Sequence, residues 1–211
     1  MNLNLLTRSA LAILMAAAPL VAYAQTAQEQ LAASTQVARA ETENTRAELQ
    51  KAMATLTALQ AQTSGDLRPN FDKFAASLDS TRAAANLTGK RVDTMKADSG
   101  SYFASWKSEL ATIKNKDIRQ PSEKRLQAVQ KEYAAVLAKM GQARTAFAPM
   151  LSDAEDLRTA LGTDLTPSGL KSQNKSVSKT NKGLAAAQKP VMEALLAFDK
   201  LAKQLTPTGA K

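Results

Sequence analysis

Cysteine and histidine are both missing from this chain of 211 residues. The first absence excludes a disulfide framework, a thiol nucleophile, a thiolate metal site and a lipid attached to an N-terminal Cys. The second removes the commonest general base and the commonest metal ligand. Aromatic residues are scarce, at 4% of the chain, while apolar residues reach 44% and Ala is plentiful. Such a composition builds a thin core of Ala, Leu, Val and Met. Only eight Gly and seven Pro occur, mostly where helices would end. This combination points to an all-α protein.

Long apolar runs are also lacking, with one exception near the N-terminus. Arg8 supplies a positive start, Ala10 to Val21 is apolar, and Ala22-Tyr23-Ala24 gives a small-x-small cleavage pattern. The run falls short of the ~20 apolar residues that a spanning helix needs. Residues 1–24 therefore read as a signal peptide cleaved after Ala24, with a bacterial look and the periplasm as destination. The remaining 25–211 read as a single helical domain.

The chain carries a formal charge of +9, unevenly spread. Residues 163–211 hold eight basic and three acidic side chains, so the last quarter carries most of the excess.

Four helical segments emerge from the periodicity, at about 26–62, 71–114, 121–161 and 167–204. The first has an apolar or small stripe, weak up to Thr45 and stronger from Leu49. TSGDLRPN, Thr63 to Asn70, ends it. The second carries Phe71, Leu78, Ala85, Val92, Trp106 and Ile113 at heptad spacing. Gly89 and Gly100 mark places where it would soften or break.

The third is the clearest. Leu126, Val129, Tyr133, Val136, Met140, Ala143, Phe147, Met150, Ala154, Leu157 and Leu161 alternate by three and four without interruption. Pro121 fits its first turn, and Pro149 lies off the stripe, where it would kink the helix without ending it. In the fourth, Leu170, Val177, Leu184, Val191 and Phe198 fall seven apart, with Pro190 as a second kink. The tail from Thr206 is expected to fray. Short connections between long helices predict an elongated antiparallel bundle of about four coiled-coil-like helices.

The stretch SYFASWKSELATI, Ser101 to Ile113, holds a third of the aromatics. At helical spacing such a cluster forms a packing layer more readily than a pocket, and Tyr133 or Phe147 of the third helix would meet it.

Candidate chemistry is sparse. Three Ser-x-x-Lys matches (Ser168–Lys171, Ser172–Lys175, Ser176–Lys179) overlap in one Ser/Lys-rich tract and lack the companion elements of serine acyl-enzymes. Asp153, Glu155 and Asp156 lack the alternating oxygens of a calcium loop and read as a solvated face. No catalytic residue, cofactor or metal site is expected, and the chain does not read as an enzyme.

The basic face stands out more. Lys171, Lys175, Lys179 and Lys182 line one side of the fourth helix, with no acidic residue between Asp164 and Glu193. They suit contact with an anionic surface. The partner classes left open are an unidentified protein, an anionic envelope polymer, a peripheral membrane contact and a second copy of the chain. Nucleic acid fits poorly, because no stacking aromatics interleave the lysines.

From Gly65 onward the chain resembles a bacterial family known as domain of unknown function 2959. The likeness lies in GDL (Gly65 to Leu67), YFASWKSELATIKNKDIR (Tyr102 to Arg119), the spacing of Ser122, Arg125 and Tyr133, and MGQARTAFAPMLSDAEDLRTAL (Met140 to Leu161). It implies an exported, largely helical, coiled-coil-prone envelope protein. Some members are anchored by a lipid, and this chain departs from them in having no Cys. Two functions follow: a non-enzymatic helical spacer or docking surface of the cell envelope, or a periplasmic holdase-type chaperone, which would need an exposed apolar groove.

Overall fold

The computed structural model describes residues 11–206, with side chains from Thr26 onward. Arg8 of the leader reading and the tail beyond Thr206 lie outside the described residues. Four long helices and one short one follow each other: α1 (Leu11–Ala61), α2 (Arg68–Thr112), α3 (Lys116–Thr163), α4 (Pro167–Ser172) and α5 (Asn174–Leu205). No strand occurs among the described residues.

α1 packs against α2 and α5, and α3 closes the ring from the other side against α5 and, more thinly, α2. Short connections make sequence neighbours antiparallel, so the all-α bundle runs up and down. α2, with 45 residues, is roughly 68 Å long at 1.5 Å per residue. Connections are held by local bonds. At the α1–α2 turn Gly65 takes a φ of 81°, a left-handed conformation that glycine adopts freely. There the Gln62 amide donates to the Asp66 carbonyl at 2.7 Å and accepts from the Asn70 amide at 2.7 Å.

Burial follows the heptad stripes. Nine of the α3 stripe positions are buried, and Tyr133 and Met140 are half-buried. The core falls into two apolar clusters. One, near the α1–α2 turn, gathers Leu49, Leu56, Phe74, Leu78, Phe147, Leu157 and Leu184. The other, toward the α2–α3 turn, gathers Leu31, Met95, Tyr102, Val129, Val136 and Phe198.

Between them lies a waist of small and hydroxylated side chains. Thr42, Thr45 and Thr88 are buried there, and Thr81 is buried further along α2, level with Ala52. Thr45 and Thr88 share a hydrogen bond of 2.9 Å across α1 and α2, while Thr42 and Thr81 donate to the carbonyls of Ala38 and Ser77. A second bridge, Thr55 to Ser77 at 2.8 Å, fixes the same antiparallel register nearer the turn. The α1 stripe is thus continuous. Of the Thr positions that made its first half look weak, Thr42 and Thr45 are satisfied hydroxyls at a close approach of two helices, while the buried Thr35 hydroxyl has no partner.

Three expectations need correction. α2 does not break at Gly89 or Gly100: both sit on the exposed side, and buried Thr88, Val92, Ser99 and Tyr102 hold the helix through them. α3 begins at Lys116 and encloses Pro121, because Asn115 caps it five residues earlier, accepting from the Asp117 N–H at 2.9 Å. The fourth segment is two helices. Ser172 donates its hydroxyl to the Gly169 carbonyl at 2.7 Å, and Gln173 turns out of helical geometry at φ −90°, ψ 6°. α3 and α5 run on through Pro149 and Pro190.

The waist predicts a double-mutant cycle. Thr45→Val or Thr88→Val alone leaves a buried hydroxyl without its partner and is expected to cost about 1 kcal/mol, while the pair together costs less than the two added. Urea denaturation measures this. The glycines predict a contrast. A Cβ at Gly89 or Gly100 meets open space, whereas one at Gly169 lies 2.3 Å from the Asp164 carbonyl oxygen. Gly89→Ala and Gly100→Ala are expected to stabilise by up to ~1 kcal/mol each, and Gly169→Ala to destabilise.

Candidate functional site

The basic face is built from the α3–α4 connection upward. Thr166 caps α4, its hydroxyl accepting from the Gly169 N–H at 2.9 Å and donating to Asp164 at 2.7 Å. α4 buries Leu170 and exposes Lys171. After Gln173, α5 buries Val177, Thr180 and Leu184 and turns Lys175, Lys179 and Lys182 to the opposite side, where all three are exposed. A shallow groove of about 480 Å³ is lined by Asn174, Lys175, Ser178, Lys179 and Lys182.

The four lysines are not equivalent. Lys171 stands on a separate short helix, so the row bends at Gln173 and is not one continuous face; the cause is the same Ser172–Gln173 interruption. Lys179 forms an ion pair with Asp153 of α3 at 2.8 Å. Lys171, Lys175 and Lys182 have no carboxylate partner among the described residues and present three positive charges to solvent.

Two of the three carboxylates of the acidic run on α3 are spent on such contacts, and Asp156 is exposed. Asp153 holds Lys179, Glu155 pairs with Arg82 of α2, and Arg158 beside them donates to Asp79 of α2 at 2.6 Å. Among the described residues no group of three or more His, Cys, Asp or Glu side chains is placed to hold a metal ion. Of the Ser-x-x-Lys matches, Ser172–Lys175 is not brought together as nucleophile and base, since the Ser172 hydroxyl is turned to the Gly169 carbonyl.

The aromatic cluster forms a layer of the second core cluster. Tyr102 lies 5.5 Å from Phe103 and 5.4 Å from Trp106, and Tyr133 of α3 meets Phe103 edge-on at 5.5 Å. Phe147, the other expected neighbour, belongs to the opposite cluster. Burial pushes the Tyr102 phenol up to about 12. Glu109, one turn beyond Trp106, has an enclosed Oε1 without a hydrogen-bond partner, and desolvation raises its carboxyl above the ordinary range.

Contacts that fix the α5 register were not legible beforehand. Arg39 grips Asp199 with two hydrogen bonds, of 2.5 and 3.3 Å, holding that carboxyl below its usual range, and Lys139 pairs with Glu193 at 2.7 Å. Oppositely charged residues on heptad flanks are the only signal the sequence offers for them.

The geometry defines a four-helix bundle with a cationic flank. The family model described as "Protein of unknown function (DUF2959)" matches residues 23–205, and the chain belongs to that family. No curated protein and no solved structure matches it.

Glu109 gives a pH prediction. Its raised folded-state value means that ionisation works against the fold: the penalty is absent below the unfolded value and complete above the folded one. Glu109→Gln is therefore expected to be more stable than the parent at pH 7, with the difference vanishing near pH 3. Paired urea titrations at the two pH values check it.

Proposed function

We propose that this protein is a non-enzymatic structural or interaction protein of the bacterial cell envelope, a helical spacer or docking surface acting in the periplasm after cleavage at Ala24. The observation that carries this reading is the burial of the α3 stripe. Four long helices cover one another's apolar faces within a single chain, so the heptad stripes are not the surface left for partners. A holdase-type chaperone needs the opposite, an apolar groove open to unfolded clients, and the stripe that would have lined one is closed.

In this reading the exposed Lys171, Lys175 and Lys182 are the contact to an anionic envelope polymer. Three uncompensated cations on one flank attract a polyanion at low salt and release it as salt screens them.

Sedimentation velocity with and without an unfolded outer-membrane protein tests the first part. The expected result is an elongated species that ignores the client; a stable complex at moderate salt overturns the reading in favour of the chaperone. Titration with dextran sulfate as polyanion probe tests the second. Lys175→Glu with Lys182→Glu is expected to weaken binding at least about fivefold with the fold intact, and unchanged binding removes the face from consideration.

A further inference from the structure

The two ends of the bundle differ, and the end opposite the lysine row has its own character. The Gln28 amide of α1 donates to the Leu205 carbonyl at 2.8 Å, which places the last residue of α5 level with Gln28. The α1–α2 pairs Thr45–Thr88 and Thr55–Ser77 put Gln28 level with about Ser105 on α2. α2 continues to Thr112 before the chain turns into α3. The α2–α3 hairpin thus outreaches α5 by roughly 10 Å at 1.5 Å per residue.

This projecting tip is fixed in shape. Asn115 caps α3, the Arg119 guanidinium donates to the Ile113 carbonyl at 3.2 Å, and the same Arg119 pairs with Glu123 at 2.9 Å. On it stands Ile118, 63% exposed, the most exposed of the large apolar side chains among the described residues. Lys114, Lys116, Lys124 and Arg125 of the same turn and first helical turns are exposed, with Asp117 the one exposed carboxylate between them in sequence. Glu123 is already engaged by Arg119.

A capped tip that carries an exposed isoleucine and four exposed cations between Lys114 and Arg125 suits a soft anionic surface with an apolar layer beneath. A polysaccharide offers no apolar phase, and a folded protein would need a matching socket.

We propose that the α2–α3 tip is a contact site for an anionic phospholipid bilayer, with Ile118 entering the headgroup boundary and Lys114, Lys116, Lys124 and Arg125 binding lipid phosphates. The site is separate from the α5 lysine row at the far end. A bundle with a bilayer at one end and a polyanion at the other spans the gap between them.

The chain's lack of cysteine makes a site-specific test direct. Ile118→Cys in the full chain is labelled with an environment-sensitive fluorophore, and Leu87→Cys, exposed on α2 away from the tip, serves as control. Vesicles of phosphatidylglycerol with phosphatidylcholine are compared with phosphatidylcholine alone. The expected result is a blue shift and several-fold brightening at position 118 on anionic vesicles only, with position 87 unchanged. Lys114→Glu with Lys116→Glu is expected to weaken this at least about tenfold, and Lys175→Glu with Lys182→Glu to leave it intact. Silence at position 118, an equal response at position 87 or on neutral vesicles, or survival of the signal in the tip reversal overturns the proposal. Loss of the signal in the α5 reversal transfers the contact to the lysine row and overturns it as well.

Discussion

Burial of the α3 stripe is the constraint on which the rest of this structure depends. With neither disulfide nor thiolate metal site available, the fold is held by long helices covering one another's apolar seams. α3 supplies the most continuous seam and lies chiefly against α5, so α5 must run antiparallel to it along most of its length. That placement brings Arg39 against Asp199 and Lys139 against Glu193. These pairs are half-exposed and worth little each as stability. Their effect is to set register, which a repeating apolar stripe specifies weakly on its own.

α1 and α2 use a different device. Besides the large side chains they give to both core clusters, α1 and α2 are bridged directly by hydroxyls, Thr45 to Thr88 and Thr55 to Ser77. Hydroxyls that would be a liability in a core are bonded across the seam or back to the preceding turn. One exception is Thr35, whose hydroxyl is buried without a partner. The close seam leaves little room for a ligand.

What the sequence made legible tracks the strength of its periodicity. The α3 stripe reads clearly because large apolar residues recur at every seam position, and its burial follows. The aromatic layer at Tyr102, Phe103 and Trp106 reads as core for the same reason, down to its contact with Tyr133. The Thr-rich half of α1 is harder, because a hydroxyl counts as polar until its partner is known, and Thr88 lies 43 residues away from Thr45. The break at Gln173 is equally hidden: heptad spacing from Leu170 to Val177 survives it unchanged. Of the candidate face, exposure of the lysines was legible. The pairing of Lys179 with Asp153 was not, since it depends on which turn of α3 lies opposite. Ile118 carries no signal of its own, because a lone apolar residue just after a turn looks like any other helix start.

The divided core gives the molecule a mechanical character. Resistance to bending in a bundle comes from large side chains that cannot slide past one another, and these are concentrated toward the two ends. At the level of Thr42, Thr45 and Thr88 the filling is small, and α1 and α2 are joined there by the Thr45–Thr88 hydroxyl bond. A strut built this way is stiff at its ends and compliant in the middle. Held between two surfaces that move relative to each other, it flexes at the waist before either end lets go.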